Sequence, residues 1–304
     1  MIWLFFAALL WGPSFGLIPI LMRDHGMNAY TLAFFRMFYS LLMFLPLLRV
    51  HVIARRKRVI LIGLGAVQFG GMYVCLNLAY NYMEGYEVAM VTVFTPIYVS
   101  LIDSLFVKSK GQLKSWLCVG LAVAGAMVIE YARPESRGFW IGFSIMQIAN
   151  LCFAFGQVAY RRLLPGMKRF GDMHVFGWMY FGGMIVTVLA WMFWGEPGTA
   201  LRKMSGMPIS AWLILCWLGL IPSGLGFFLF NHGALKVNTH TLSIFNNLKI
   251  PLAMIIVMVV FRQWSYIENW GRFFMGAFVM LAALWWNEQP PGDRSRKKLQ
   301  PANP

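Results

Sequence analysis

Chemistry is signalled most sharply around Lys249, which sits within the apolar stretch 239–261, THTLSIFNNLKIPLAMIIVMVVF. A bilayer-spanning helix begun near His240 would place this lysine roughly 13 Å deep, close to the middle of a hydrocarbon core of about 30 Å. On a wheel of about 100° per residue, Lys249, Asn246, Asn247, Ser243, His240 and Thr239 share one half. Thr241, Leu242, Ile244, Phe245, Leu248 and Leu252 fill most of the other half, and Ile250 is the one apolar residue among the polar set. Pro251 has no N–H, so the carbonyl of Asn247 four residues earlier is left free to accept from a ligand or water. An ammonium, two amides, a hydroxyl and a loose carbonyl make a group suited to holding an anion. The structural alternative is that Lys249 locks two helices through an acid elsewhere, or snorkels to a membrane surface.

Arg36 is a second ionisable residue within an apolar segment, with two open readings: bonds to carbonyls or an acid, or a place in a substrate path. Tyr73, Asn77 and Tyr80 fall on one helical stripe, as do Phe227, Phe228 and Asn231 further on. Such stripes commonly pack, but facing a cavity they would supply apolar walls and hydrogen bonds to an amphipathic metabolite. Glu84 and Glu87 flank one short connection, where acids are usually solvated; Glu87 is also a candidate proton-responsive gate, so proton coupling stays open. Pro96, Pro251 and His240 are grouped with Glu87 as gating or coupling positions. Asp103 precedes Lys108 and Lys110 by a turn or two, the spacing of an ion pair at a helix end.

The elements that must position these residues are membrane helices. With 59% hydrophobic and only 12% charged residues, the chain has the composition of a polytopic all-α integral membrane protein. Ten apolar segments are predicted, at roughly 2–22, 31–48, 59–81, 87–107, 115–131, 139–160, 174–194, 209–231, 240–261 and 268–287. Alternate connections, counted with the tail 288–304, hold 17 Lys or Arg, against 6 in the opposite set. The positive-inside rule then puts both termini in the cytoplasm, with 288–304 as a basic cytoplasmic tail. The net charge of +15 is thereby a topology signal rather than a nucleic-acid surface, with anionic lipid as a secondary partner.

Ala79 and Pro96 are 17 apart, as are Ala234 and Pro251, which lays the fourth segment over the ninth. Halves 2–131 and 139–287 each supply five segments, and an odd number inverts the second half, giving two inverted five-helix repeats. The same offset sets Lys249 against Phe94, so the architecture itself does not demand a cation there. The four cysteines have no CxxC or Cys/His spacing, so neither a disulfide framework nor a metal site is expected. The sequence has no Walker A loop, no HExxH motif and no cluster of intramembrane acids, which argues against ATP drive and against a membrane-embedded enzyme. No cofactor is expected, and monomer and homodimer remain equally open.

Trp11-Gly12-Pro13-Ser14-Phe15, Phe35-Arg36, and the Pro96 segment followed by one bearing Gly120 and Gly125 together resemble the EamA-type branch of the drug/metabolite transporter superfamily. That resemblance implies a secondary transporter working by alternating access, with a central cavity lined by the first, second, third, fourth, sixth, eighth and ninth segments, and draws Trp11 and Arg36 into the candidate site. Thr241-Leu242-Ser243-Ile244, Asn246 and Lys249 are also similar to the penultimate span of sugar-phosphate translocators, where a Lys followed by Arg binds phosphate. Here Ile250 stands at the Arg position, which favours a singly charged carboxylate. The expectation is an inner-membrane exporter or exchanger of small metabolites, amino acids or organic anions; a flippase-like transporter of lipids or amphiphiles is the alternative.

Overall fold

A computed structural model describes residues 1–48, 53–106, 113–129, 136–163, 165, 172–247, 250–251 and 270–288. The described chain is helical, beginning with α1 (Ile2–Trp11), α2 (Ser14–Pro19) and α3 (Ala29–Phe44). Next come α4 (Arg55–Gly65), α5 (Met72–Ala79), α6 (Gly85–Thr92), α7 (Thr95–Phe106) and α8 (Leu113–Ile129). The long helices α9 (Phe139–Leu163) and α10 (Asp172–Trp194) precede α11 (Pro197–Ser205), α12 (Ile209–Leu218) and α13 (Phe227–Ala234). A helix over residues 239–247, α14, and α15 (Trp270–Glu288) complete the set. Among the described residues six helical stretches are long and apolar enough to cross a bilayer, and Thr95–Phe106 and Trp116–Val128 are shorter apolar helices.

Three of the long stretches are wound unevenly. Ile20–Asp24, Ala66–Gly71 and Gly219–Gly226 are π-helical, and the last two join α4 to α5 and α12 to α13 without breaking the span. In the third case Pro222 has no N–H to offer the Leu218 carbonyl. The Ser223 hydroxyl donates to that carbonyl instead, at 2.7 Å. Trp11 Nε1 donates to the Pro222 carbonyl at 2.9 Å, Ser40 Oγ to Gly219, and the Tyr180 hydroxyl lies 2.7 Å from the carbonyls of both Ser223 and Gly224. Irregular backbone at membrane depth is tolerated because neighbouring side chains satisfy it.

The fourth segment, expected as one helix over 87–107, is divided into α6 and α7 around Val93 and Phe94. Pro96 lies in the first turn of α7, where a missing N–H is harmless, and the carbonyl it would have served, that of Thr92, receives the Thr95 hydroxyl at 2.7 Å. Asn150 Nδ2 donates to the Val91 carbonyl at 2.9 Å, and Asn247 Nδ2 to that of Val93 at 3.1 Å, so the break is sealed from α9 and α14. Thr95→Val keeps the shape and removes the hydroxyl; we expect a loss of about 1–2 kcal/mol of stability, read as a lower thermal midpoint in detergent. An unchanged midpoint would mean that the Thr92 carbonyl does not depend on Thr95.

Charged residues gather at helix ends. Arg23 pairs with Glu84, and Glu87 is fully buried as the helix-capping carboxylate of α6. It accepts from the Glu84 backbone at 2.8 Å and from the backbone and hydroxyl of Ser136 at 3.2 and 2.6 Å. Asp103 pairs with Arg162 and accepts from Thr239 Oγ1 at 2.7 Å, so its partner comes from α9; Lys108 and Lys110 lie outside the described residues.

Candidate functional site

Where α3, α5, α9 and α13 approach the α1–α2 and α6–α7 breaks, they leave a cavity whose empty space, about 610 Å³, includes the solvent at its open side. Trp11, Ser14, Phe15 and Ile18 come from the first span, Arg36 from the second, and Met72, Tyr73, Leu76 and Tyr80 from the third. Thr92 and Thr95 line it from either side of the α6–α7 break, while α9 gives Met146, Ala149, Asn150 and Phe153 and α13 gives Phe227. Six of the seven segments expected to line a central cavity contribute to it, and the described residues of the ninth, 240–247 and 250–251, are not among its lining.

Aromatic rings form most of one wall. Trp11 packs against Phe153, Phe227 and Phe230 with centroids 5.7, 5.1 and 4.7 Å away, and Phe227 packs on Tyr73 at 5.7 Å. The indole is fixed by its bond to the Pro222 carbonyl, so this wall is anchored in the π-helical segment.

Among the described lining residues the charge is carried by Arg36. It lies seven residues into α3, about 10 Å along the helix, and only 2% of it is exposed. Its Nε donates to Ser223 Oγ at 2.9 Å, its Nη2 donates to the Tyr73 hydroxyl at 3.2 Å, and the guanidinium carbon stands 4.1 Å from the centre of the Tyr73 ring. The Ser223 hydroxyl in turn donates its hydrogen bond to the Leu218 carbonyl, so Arg36 is held by the side chain that also repairs the proline break. Nη1 has no hydrogen-bond partner among the described residues, and none of the described residues lining the cavity is Asp or Glu. A guanidinium with one edge tied back, one edge open and no counter-ion among the described residues of an apolar chamber is arranged to receive an anion, and its planar fork suits a carboxylate.

Of the candidate substrate-binding residues, Trp11, Arg36 and Tyr73 line this one cavity. Asn77 and Phe228 are placed elsewhere: Asn77 faces the Ala29 carbonyl at 3.5 Å, and Phe228 packs among Phe44, Phe176 and His232. Asn246 forms a reciprocal amide pair with Gln157, both bonds 3.1 Å, and Ser243 faces Ser100 at 3.0 Å. Asn247 seals the Val93 carbonyl, and His240 meets the Trp116 ring edge-on at 6.4 Å. Pro96 and Pro251 are buried, and Lys249 lies outside the described residues. Asn150, Thr92, Thr95 and Ser223 were not singled out from sequence. Their signal was a polar residue in mid-span or beside a proline.

Comparison with known proteins bears on this cavity. Residues 1–131 match the model of the EamA-like transporter family. The chain is 32% identical over 282 residues to a protein named biotin transporter in Escherichia coli (strain K12), covering 93% of this chain and 91% of that one. It is 33% identical over 294 residues to a probable biotin transporter of Pseudomonas aeruginosa, covering 94% and 96%. A solved crystal structure with 16% sequence identity superposes with a TM-score of 0.72 over 98% of each chain, which shows a shared fold.

Proposed function

We propose, from the premise that the chain belongs to the EamA-like transporter family, that this multi-pass membrane transporter carries biotin and holds its carboxylate on Arg36. The observation that carries this reading is the open Nη1 edge of a buried guanidinium that faces an aromatic chamber and has no acid among the described lining residues. Biotin joins a carboxylate on a four-carbon chain to an uncharged bicyclic urea. The carboxylate meets Arg36 and the Tyr73 hydroxyl, and the bicycle packs on Trp11, Phe153 and Phe227. An amino acid fits less well, because its ammonium would enter a chamber in which no described lining residue is acidic. In proteoliposomes, labelled biotin should undergo counterflow that excess biotin suppresses and biotinamide, its uncharged analogue, does not. Equal suppression by the two would remove the charge-recognition reading.

The two-repeat organisation, 2–131 and 139–287, gains support from helix limits. Moving Met72–Ala79 by 155 positions gives 227–234, the limits of α13, and moving Gly85–Thr92 gives 240–247, within α14. The π-helical segment Ala66–Gly71 moves to 221–226, inside Gly219–Gly226. With the second repeat inverted and both termini cytoplasmic, Ser109→Cys and Arg294→Cys, made in a chain whose four native cysteines are Ala, should react with an impermeant thiol reagent only from the cytoplasm. Gly198→Cys should react only from the other side. Labelling of Ser109→Cys from outside would overturn the orientation.

A further inference from the structure

We infer that Ser14 reads the uncharged polar end of the substrate, the urea of biotin, and so sets specificity where Arg36 sets charge; this rests on the biotin reading above. Ser14 opens α2 just after the Gly12-Pro13 break in the first span, and its side chain faces the same cavity as Arg36. It is 8% exposed, and its Oγ has no hydrogen-bond partner among the described residues. The other small hydroxyls lining the chamber are engaged, Thr92 with the Ala89 carbonyl at 2.7 Å and Thr95 with that of Thr92 at 2.7 Å. Among the described lining residues, Arg36 and Ser14 therefore have hydrogen-bonding capacity to spare: a cation edge that demands an anion, and a hydroxyl that can both donate and accept.

A buried hydroxyl without a partner costs free energy that a ligand recovers by supplying one. A fatty acid would satisfy Arg36 and leave Ser14 unmet. A urea presents a carbonyl that accepts and N–H groups that donate, and either matches Ser14 without any charge. The site is thereby complementary to a molecule with a carboxylate and a neutral hydrogen-bonding ring, joined by an apolar stretch that lies along the aromatic wall. Ser14 is well placed to be selective because it stands at the start of a helix on fixed backbone, and the neighbouring Phe15 carbonyl lies only 3.0 Å from where a Cβ on Gly85 would sit.

The test compares biotin with lipoate, which keeps the four-carbon carboxylate chain but carries a dithiolane in place of the urea. Affinities are read by competition with labelled biotin on purified wild type and Ser14→Ala in detergent. Ser14→Ala should weaken biotin about tenfold, leave lipoate unchanged, and leave the ratio of biotin to biotinamide affinity as in wild type. An equal loss for biotin and lipoate would mark Ser14 as structural, and no loss for biotin would show that the urea is read elsewhere; each overturns the inference alone. Failure of the wild type to prefer biotin over biotinamide would overturn the underlying charge reading, and this assignment with it.

Discussion

Replacing Arg36 by Gln is expected to lower biotin affinity about 100-fold while biotinamide binds the variant as it binds wild type, because truncating one member of a buried charge pair costs roughly 2–5 kcal/mol. Gln can still donate toward Ser223 or Tyr73, so the change removes charge and one arm of the fork more than it removes packing. The empty site holds a guanidinium with no acid among its described lining residues, an arrangement expensive in a membrane. The thermal midpoint of Arg36→Gln in detergent should therefore be unchanged or higher, which separates loss of recognition from loss of fold. Arg36→Lys should fail nearly as badly: a compact ammonium cannot hold Ser223 and Tyr73 and still present an open edge. Lys249→Gln is the control the sequence itself supplies. If Lys249→Gln equalises biotin and biotinamide and Arg36→Gln does not, the anchor is the lysine and the Arg36 assignment is wrong.

How much of this site was legible follows from how the helices are wound. Only Arg36, Lys249 and Arg272 among the Lys and Arg residues fall inside the ten apolar segments, so Arg36 was visible as an anomaly before any fold was known. Its partners were not visible, because Ser223 is 187 positions away and is useful only through a proline break that a hydropathy profile does not register. On α13 the stripe held both Phe227 and Phe228, and only the first lines the chamber, while Phe228 faces Phe176. On α5 the lining rows are Tyr73, Leu76 and Tyr80, three and seven apart, which passes Asn77 by. The polar half of α14 was read correctly as polar. Its amides, however, meet a partner amide from α9 and the broken backbone of α6–α7, which no single-segment wheel can show. Glu87 looked like a surface acid beside a short loop, and it caps a helix in full burial.

The second large effect concerns a place far from any charge. A Cβ built on Gly65 would lie 1.8 Å from the carbonyl oxygen of Met179, and one on Gly182 would lie 2.0 Å from that of Ile62. Both obstacles are backbone, so no rotamer change relieves them, and α4 and α10 must separate by an ångström or more to admit a methyl group. Close crossings of this kind are how membrane helices gain dispersion contact where lipid offers no hydrophobic advantage. Gly65→Ala or Gly182→Ala should each cost about 3 kcal/mol, at the upper end for overpacking a core, against the small gain in helix propensity that Ala brings. Gly63, two residues away on the same helix with nothing within 4 Å, is the internal control: Gly63→Ala should be neutral or mildly stabilising. The double variant should cost less than the sum, because helices already parted by one methyl admit the second with little further movement. The damage should also reach the site. Tyr180, one residue beyond Met179, bonds the Ser223 and Gly224 carbonyls, and Ser223 holds Arg36, so moving α10 outward loosens the guanidinium as well as the bundle. Gly65→Ala should accordingly lower both the thermal midpoint and biotin affinity, whereas Gly63→Ala changes neither by much. A Gly65→Ala protein as stable as wild type would mean that α4 and α10 are not in backbone contact at this crossing. A destabilised one with unaltered biotin affinity would mean that Tyr180 does not carry the strain to Arg36.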